Sequence, residues 1–161
     1  MISIGRRGAA LLVATTAGAV LVGGVAIAAP RMASESGQQD GYADAVVALA
    51  NAERQQAGCP DLVADERLEA AAEGHAADMA EDDYFSHTSD DGREFNDRVA
   101  ESGYPRRGGE NIAMGQDSPQ RVVEAWMESP SHRSNIVNCD YATIGVGHHS
   151  DGNYWVQDFG Y

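Results

Sequence analysis

The run Ile144-Gly145-Val146-Gly147-His148-His149-Ser150-Asp151-Gly152-Asn153-Tyr154-Trp155-Val156-Gln157-Asp158-Phe159 decides how this chain of 161 residues folds. Ile144 and Val146 alternate with glycines, Ser150-Asp151-Gly152-Asn153 has turn chemistry, and Tyr154 to Phe159 alternates again, so the segment reads as a C-terminal β-hairpin. Upstream the apolar period is mostly helical. Tyr42, Val46, Leu49 and Ala50 recur at helical spacing until Gly58-Cys59-Pro60 stops the first helix. Asp65 can cap a second helix reaching about Asp82, with Leu68, Ala72, His75, Ala76 and Met79 on one face. Phe95 and Val99 mark a short third helix that ends at Gly103-Tyr104-Pro105. Ser118-Pro119 opens a fourth, with Val122, Val123, Trp126 and Met127 as its apolar face, and Pro130 closes it. Between the last two, Gly108 and Gly109 introduce Glu110-Asn111-Ile112-Ala113-Met114-Gly115, a glycine-bounded apolar run that suits a strand. Helices first and strands last predict an α+β domain with a small antiparallel sheet packed between helices.

Ahead of this domain, Arg6 and Arg7 precede an uncharged run from Gly8 to Ala29 that contains the small-x-small triplet Ala26-Ile27-Ala28. Residues 1–28 therefore read as a signal peptide cut before Ala29. The run also has about the 20 residues that a bilayer-spanning helix needs, which keeps an uncleaved anchor as the alternative. Gly and Thr dilute it, and no charge stops it before the small residues, both of which favour cleavage and no stable membrane span afterwards. Residues 29–40 are polar and read as a flexible spacer, and the domain spans 41–161. The expected location is thus outside the cytoplasmic membrane, secreted or in the cell envelope.

The net charge is −14 and every basic residue is an arginine. Loss of Arg6 and Arg7 with the leader leaves nine arginines against 25 acidic residues, or −16. Nucleic acid and anionic membrane surfaces are poor partners for such a chain. Cys59 and Cys139 are the two cysteines, and in an exported protein they are expected to pair. The roughly 80-residue loop so closed is worth about 4–5 kcal/mol in the chain-entropy picture of disulfides.

Six segments, in this order, resemble the CAP superfamily of cysteine-rich secretory proteins, insect venom antigens and plant pathogenesis-related proteins, in a compact bacterial form. They are Asn51-x-x-Arg54, His75-Ala76-x-Asp78-Met79, Tyr84-Phe85-Ser86-His87, Gly109-Glu110-Asn111-Ile112-Ala113, Trp126-Met127-x-Ser129-Pro130-x-His132-Arg133-x-Asn135-Ile136 and Ile144-Gly145-Val146-Gly147. The resemblance implies an α-β-α sandwich with a three-stranded antiparallel sheet. It also implies a cleft lined by two histidines and two acidic residues. By motif these are His87, Glu110 and His132, while the second acidic position, three residues after the tryptophan, holds Ser129. Glu128 stands one residue early. On a continuing helix it points about 150° from the middle of the Trp126/Met127 stripe, and only an unwinding before Pro130 turns it inward.

If the fold brings His87, Glu110 and His132 together, two imidazoles and a carboxylate suit Zn²⁺ or another divalent cation, with His87 and His132 as ligands. The same three suit general acid and base work. A structural alternative has Glu110 accepting backbone N–H bonds to hold its loop, Asn111 capping a turn and the histidines hydrogen-bonding to the glutamate. His75 reads as a core histidine bonded to backbone, and His148-His149 beside the hairpin turn as solvent-exposed. The turn Thr88 to Gly92 lacks the carboxylate spacing of a calcium loop. Hydrolase, phosphate-loop and dinucleotide motifs are missing from the sequence, and Ser86 and His87, adjacent on an extended segment, point to opposite sides. Three functions remain, in this order: a binding module for a lipid or cell-envelope ligand, a metal-assisted hydrolase of peptide or cell-wall substrates, and an extracellular scaffold that engages a protein partner.

Overall fold

The computed structural model describes residues 31–161, with side chains from Gly41 onward, and the signal-peptide reading lies outside these residues. The elements run α1 (Arg31–Ala57), β1 (Val63–Ala64), α2 (Glu66–Glu81), α3 (Phe95–Glu101), β2 (Arg107–Met114), α4 (Pro119–Glu128), α5 (Pro130–Ile136), β3 (Thr143–His149) and β4 (Tyr154–Gly160). Helix α1 takes in residues 31–40 of the 29–40 stretch read as a spacer. Among the described residues no helix is long and apolar enough to cross a membrane.

The sheet has the order β1-β3-β4-β2. β2, β3 and β4 are antiparallel neighbours, as expected, but a fourth strand pairs parallel with β3 at Val63↔Thr143 and Ala64↔Ile144. The sheet is therefore mixed and four-stranded. Two residues are too few to register a period-two pattern, and both are exposed, so hydropathy gives β1 no signal.

Alternation along the hairpin separates two cores. Ile144, Val146, Trp155 and Phe159 face α1, α4 and α5 through Val46, Ala50, Val122, Val123, Trp126 and Ile136. On the opposite face Val156, Tyr154 and Ile112 meet Ala72, Ala76 and Met79 of α2, and Leu68 meets Val99 of α3. The glycines of β3 make this second contact unusually close. A Cβ on Gly145 would collide with the backbone of Leu68 and Glu69, and one on Gly147 with that of Ala72 and Glu73. Backbone lies on backbone here, with no side chain between α2 and the sheet.

Asp65 caps α2 through its side chain, and Ser118 caps α4 with Pro119 at the first turn. Pro130 ends α4 but also opens α5, because proline is tolerated at a first helical position; the preceding Ser129 is extended (φ −90°, ψ 118°). His148 corrects the expectation of exposure. Its register opposite Trp155 puts it on the α1 face, 7% exposed, with its ring centroid 4.0 Å from Trp155 and 5.2 Å from Tyr42.

Cys59 and Cys139 are joined, with Cα atoms 4.8 Å apart. Beside them Arg54 is fully buried and donates to the carbonyls of Pro60, Ile136, Asn138 and Tyr141 at 2.7–2.9 Å. Asn51, one turn earlier, exchanges two bonds with the Leu62 backbone.

Gly147→Ala should lower the unfolding free energy by about 1–3 kcal/mol through forced separation of α2 and β3. Gly74→Ala, on α2 where an added Cβ meets nothing within 4 Å, should raise it by about 0.5–1 kcal/mol. Urea denaturation of the two variants beside the parent measures both.

Candidate functional site

β2 is an edge strand, and its alternation sends Glu110 and Asn111 to opposite faces of the sheet. Glu110 goes with Ile112 toward α2 and α3, and Asn111 goes with Ala113 toward α4 and α5. Each holds one histidine-bearing segment. His87 Nδ1 lies 2.7 Å from Glu110 Oε1, while Asn111 Nδ2 donates to the His132 carbonyl at 3.1 Å and to Gln157 Oε1 at 3.0 Å. Asn135 of α5 closes the arrangement, its Nδ2 donating to the Glu110 carbonyl at 3.2 Å and to Asn111 Oδ1 at 2.8 Å.

The second Glu110 oxygen, Oε2, accepts from Arg98 Nη2 at 2.6 Å. Both side chains are buried, at 2% and 3% exposure. Arg98 Nη1 also donates to Ser89 Oγ at 3.2 Å and the Arg93 carbonyl at 3.1 Å, which fixes the 89–93 turn against α3. A capping box between Glu94 and Asp97 starts α3 and so sets where Arg98 falls. Glu110 thus bonds a histidine, as the structural alternative has it, but its other partner is the Arg98 side chain in place of backbone N–H groups.

A carboxylate only accepts, so His87 donates its Nδ1–H to Glu110. In the neutral ring Nε2 is then the bare nitrogen, at the far end of a side chain that is 52% exposed. Phe85, two residues earlier, is 48% exposed. Ser86 is occupied otherwise: its Oγ accepts from Thr88 N at 3.0 Å, and its carbonyl accepts from His75 Nε2 at 2.9 Å. His75 is the expected core histidine, fully buried, and it pins the segment that carries His87.

His132, half-buried on α5, is the electrostatic neighbour of His87. The fold therefore brings His87, Glu110 and His132 to one edge of the sheet. It places Glu128 elsewhere. That residue is exposed at the end of α4 and lines shallow surface depressions with Arg121 and Glu124 and with Leu49 and Met127. Among the described residues no group of three or more His, Cys, Asp or Glu side chains is arranged to hold a metal ion. This edge of the sheet offers two imidazoles, while both oxygens of the glutamate are engaged.

Sequence reasoning missed Arg98 and Asp158. Arg98 sits beside Val99 and three residues after Phe95, at helical spacing with the apolar stripe, and Asp158 occupies the inward phase set by Tyr154 and Val156. A charged residue in a buried phase is the signal for both.

A sandwich of this kind, with an edge-strand glutamate held between a buried arginine and an exposed histidine, is a small CAP-type domain. The family described as CAP, the cysteine-rich secretory protein family, matches residues 47–159, and the chain belongs to it. It is 42% identical over 119 residues to the uncharacterized protein YkwD of Bacillus subtilis (strain 168), a match covering 73% of this chain and 46% of that one. An extracellular protein containing a SCP domain from Bacillus anthracis str. Ames has a crystal structure similar to this one at a TM-score of 0.73 and 28% identity, over 76% of this chain and 41% of that one. An outer surface protein from Borrelia burgdorferi gives a TM-score of 0.65 and 27% identity, over 71% of this chain and 88% of that one. This chain spans less than half the length of the two Bacillus proteins.

Three histidines are held below the ordinary imidazole pKa: His75 by burial and then Arg98, His132 by burial and then His87, His148 by burial first. His75 has a further obstacle to protonation, since its Nδ1 is buried and meets no acceptor. A histidine depressed in the folded state takes up a proton on unfolding, so its contribution to stability is present above about pH 6.5 and is lost as pH falls. Thermal melts between about pH 7.5 and 5 should show a falling midpoint, and the fall should be shallower in His75→Gln.

Proposed function

We propose that this domain is an extracellular binding module, and that its exposed His87 imidazole with the neighbouring His132 forms the polar contact for a lipid or cell-envelope ligand. The engagement of Glu110 carries this reading. With one oxygen on Arg98 and the other on His87, the glutamate is occupied as a positioning group and is not free as a general base. A binding role needs only what remains, a fixed imidazole with its Nε2 outward. Location outside the membrane is supported by the leader-like start, the disulfide and the extracellular and outer-surface relatives.

A shallow groove of about 490 Å³ between α1 and α4, lined by none of His87, Glu110 and His132, offers a lipid a second place to bind, apart from the histidines. Leu49, Ala52, Val123 and Met127 give it an apolar floor, and Glu53, Glu124 and Glu128 rim it. An alkyl chain suits the floor, and the acidic rim disfavours an anionic headgroup. Zn²⁺ would rest on His87 and His132, with water or ligand atoms completing its coordination.

Calorimetric titration of the metal-stripped protein with Zn²⁺ tests the histidine contact. Binding by the parent should weaken at least tenfold, about 1.4 kcal/mol, in the His87→Ala/His132→Ala double variant. Glu110→Gln should weaken it by roughly ten- to a hundredfold through loss of the ring's orientation. Equal or absent binding in parent and double variant removes the metal; uptake of a fluorescent fatty acid that Met127→Glu abolishes would then place the ligand in the α1/α4 groove. Hydrolysis of cell-wall material by the parent, lost in Glu110→Gln with the fold intact, would overturn the binding reading in favour of the hydrolase.

A further inference from the structure

Among the described residues, Asp158 is the acidic side chain inside the sheet for which neither oxygen meets a hydrogen-bond donor. It stands on β4 between Glu110 of β2 and Gly145 of β3, its cross-strand partners. The glycine lets the Leu68 backbone of α2 close directly over this part of the sheet, and Asp158 is 1% exposed. As directly opposed residues of neighbouring strands, Glu110 and Asp158 send their side chains to the same face of the sheet.

The charged and titratable groups around Asp158 are few. Arg98 comes from α3 and Glu110 from β2; α2 contributes His75, which lies within electrostatic range of both of them, and β3 contributes only Gly145. One guanidinium faces two carboxyl groups in a space closed to water. Glu110 accepts from two donors, Arg98 and His87, and Asp158 from none. A proton that resolves the imbalance therefore belongs on Asp158.

We infer that Asp158 is a positioning residue: a carboxylic acid that stays protonated at neutral pH and donates its proton in a hydrogen bond to the Glu110 carboxylate, fixing the group that holds His87. The bond keeps the buried pair at a single negative charge, which Arg98 balances. Burial, and then the charge of Glu110, push the Asp158 carboxyl well above the ordinary carboxylate range, as this arrangement requires. The assignment does not depend on what ligand the domain takes.

Linkage gives the arrangement a signature. Above about pH 4 the unfolded chain releases a proton that the folded protein retains at Asp158, so this residue's contribution to stability declines as pH rises. Asp158→Asn removes the titration yet keeps an N–H donor for Glu110, whereas Asp158→Leu removes both. Thermal midpoints from about pH 4 to 9 should therefore show the Asp158→Asn variant and the parent close together at the acid end, with a gap in favour of the variant that widens with pH. The Asp158→Leu variant should lie below the Asp158→Asn variant throughout, which separates the donated bond from the loss of a buried charge. Carboxyl ¹³C NMR of the unaltered protein at about pH 7 should show one neutral aspartic acid, absent from Asp158→Asn. An ionised Asp158 in that spectrum, or parent and Asp158→Asn curves that run parallel across the pH range, would overturn the inference. The spectrum decides the matter even where a variant fails to fold.

Discussion

The contact on which the structure depends is that of α2 with β3, made through Gly145 and Gly147 with no side chain intervening. Close-packed interiors have no room for even one added methyl group at such a point. From this contact α2 acquires a fixed height above the sheet. His75, on its buried face, is then at the right depth to bond the Ser86 carbonyl. That anchor sets the position of the next residue along the backbone, and His87 arrives over the edge strand where Glu110 emerges. A glycine repeat in a strand thereby governs the position of an imidazole on the far side of a loop.

Two buried arginines divide the remaining labour. Arg54 satisfies its guanidinium entirely with backbone carbonyls from the segments that flank the disulfide, so its charge is dispersed over dipoles and serves the fold. Arg98 is matched instead to a carboxylate, at 2.6 Å, on a strand that also touches the exposed histidine. A buried ion pair of this kind contributes little net stability, because desolvation offsets its attraction. What it supplies is geometry: a carboxylate held from one side can orient a ring on the other. Its adjacent residue, Asn111, does the corresponding work on the opposite face with neutral hydrogen bonds.

Much of this was legible in the chain. The main helices, the caps at Asp65 and Ser118 and the β-hairpin follow from local pattern, the Cys59–Cys139 pair follows from the cysteine count, and the motif series named His87, Glu110 and His132, which the fold carries to one edge of the sheet. Less was legible where an element is short or a residue's phase is ambiguous. β1 is two residues long, α5 begins at the proline that ends α4, and His148 lies next to a turn yet takes its side from the strand register. Arg98 and Asp158 stand in the buried phase of their elements, but phase alone does not name the partner that each meets once the neighbouring elements cover it.

By itself the sequence determined the periodicities, and with them which residues form helices, which form strands and which face of each is apolar; these depend on neighbours within a few positions. It also determined the donor chemistry that His87, Glu110 and His132 make available. Only the tertiary structure decided how that chemistry is used. His87, Arg98, Glu110 and Asp158 lie on four separate segments, and no local pattern encodes that one carboxylate touches both an arginine and a histidine. That outcome depends on strand register and on the depth at which α2 and α3 sit, which are set by long-range packing of residues far apart in the chain.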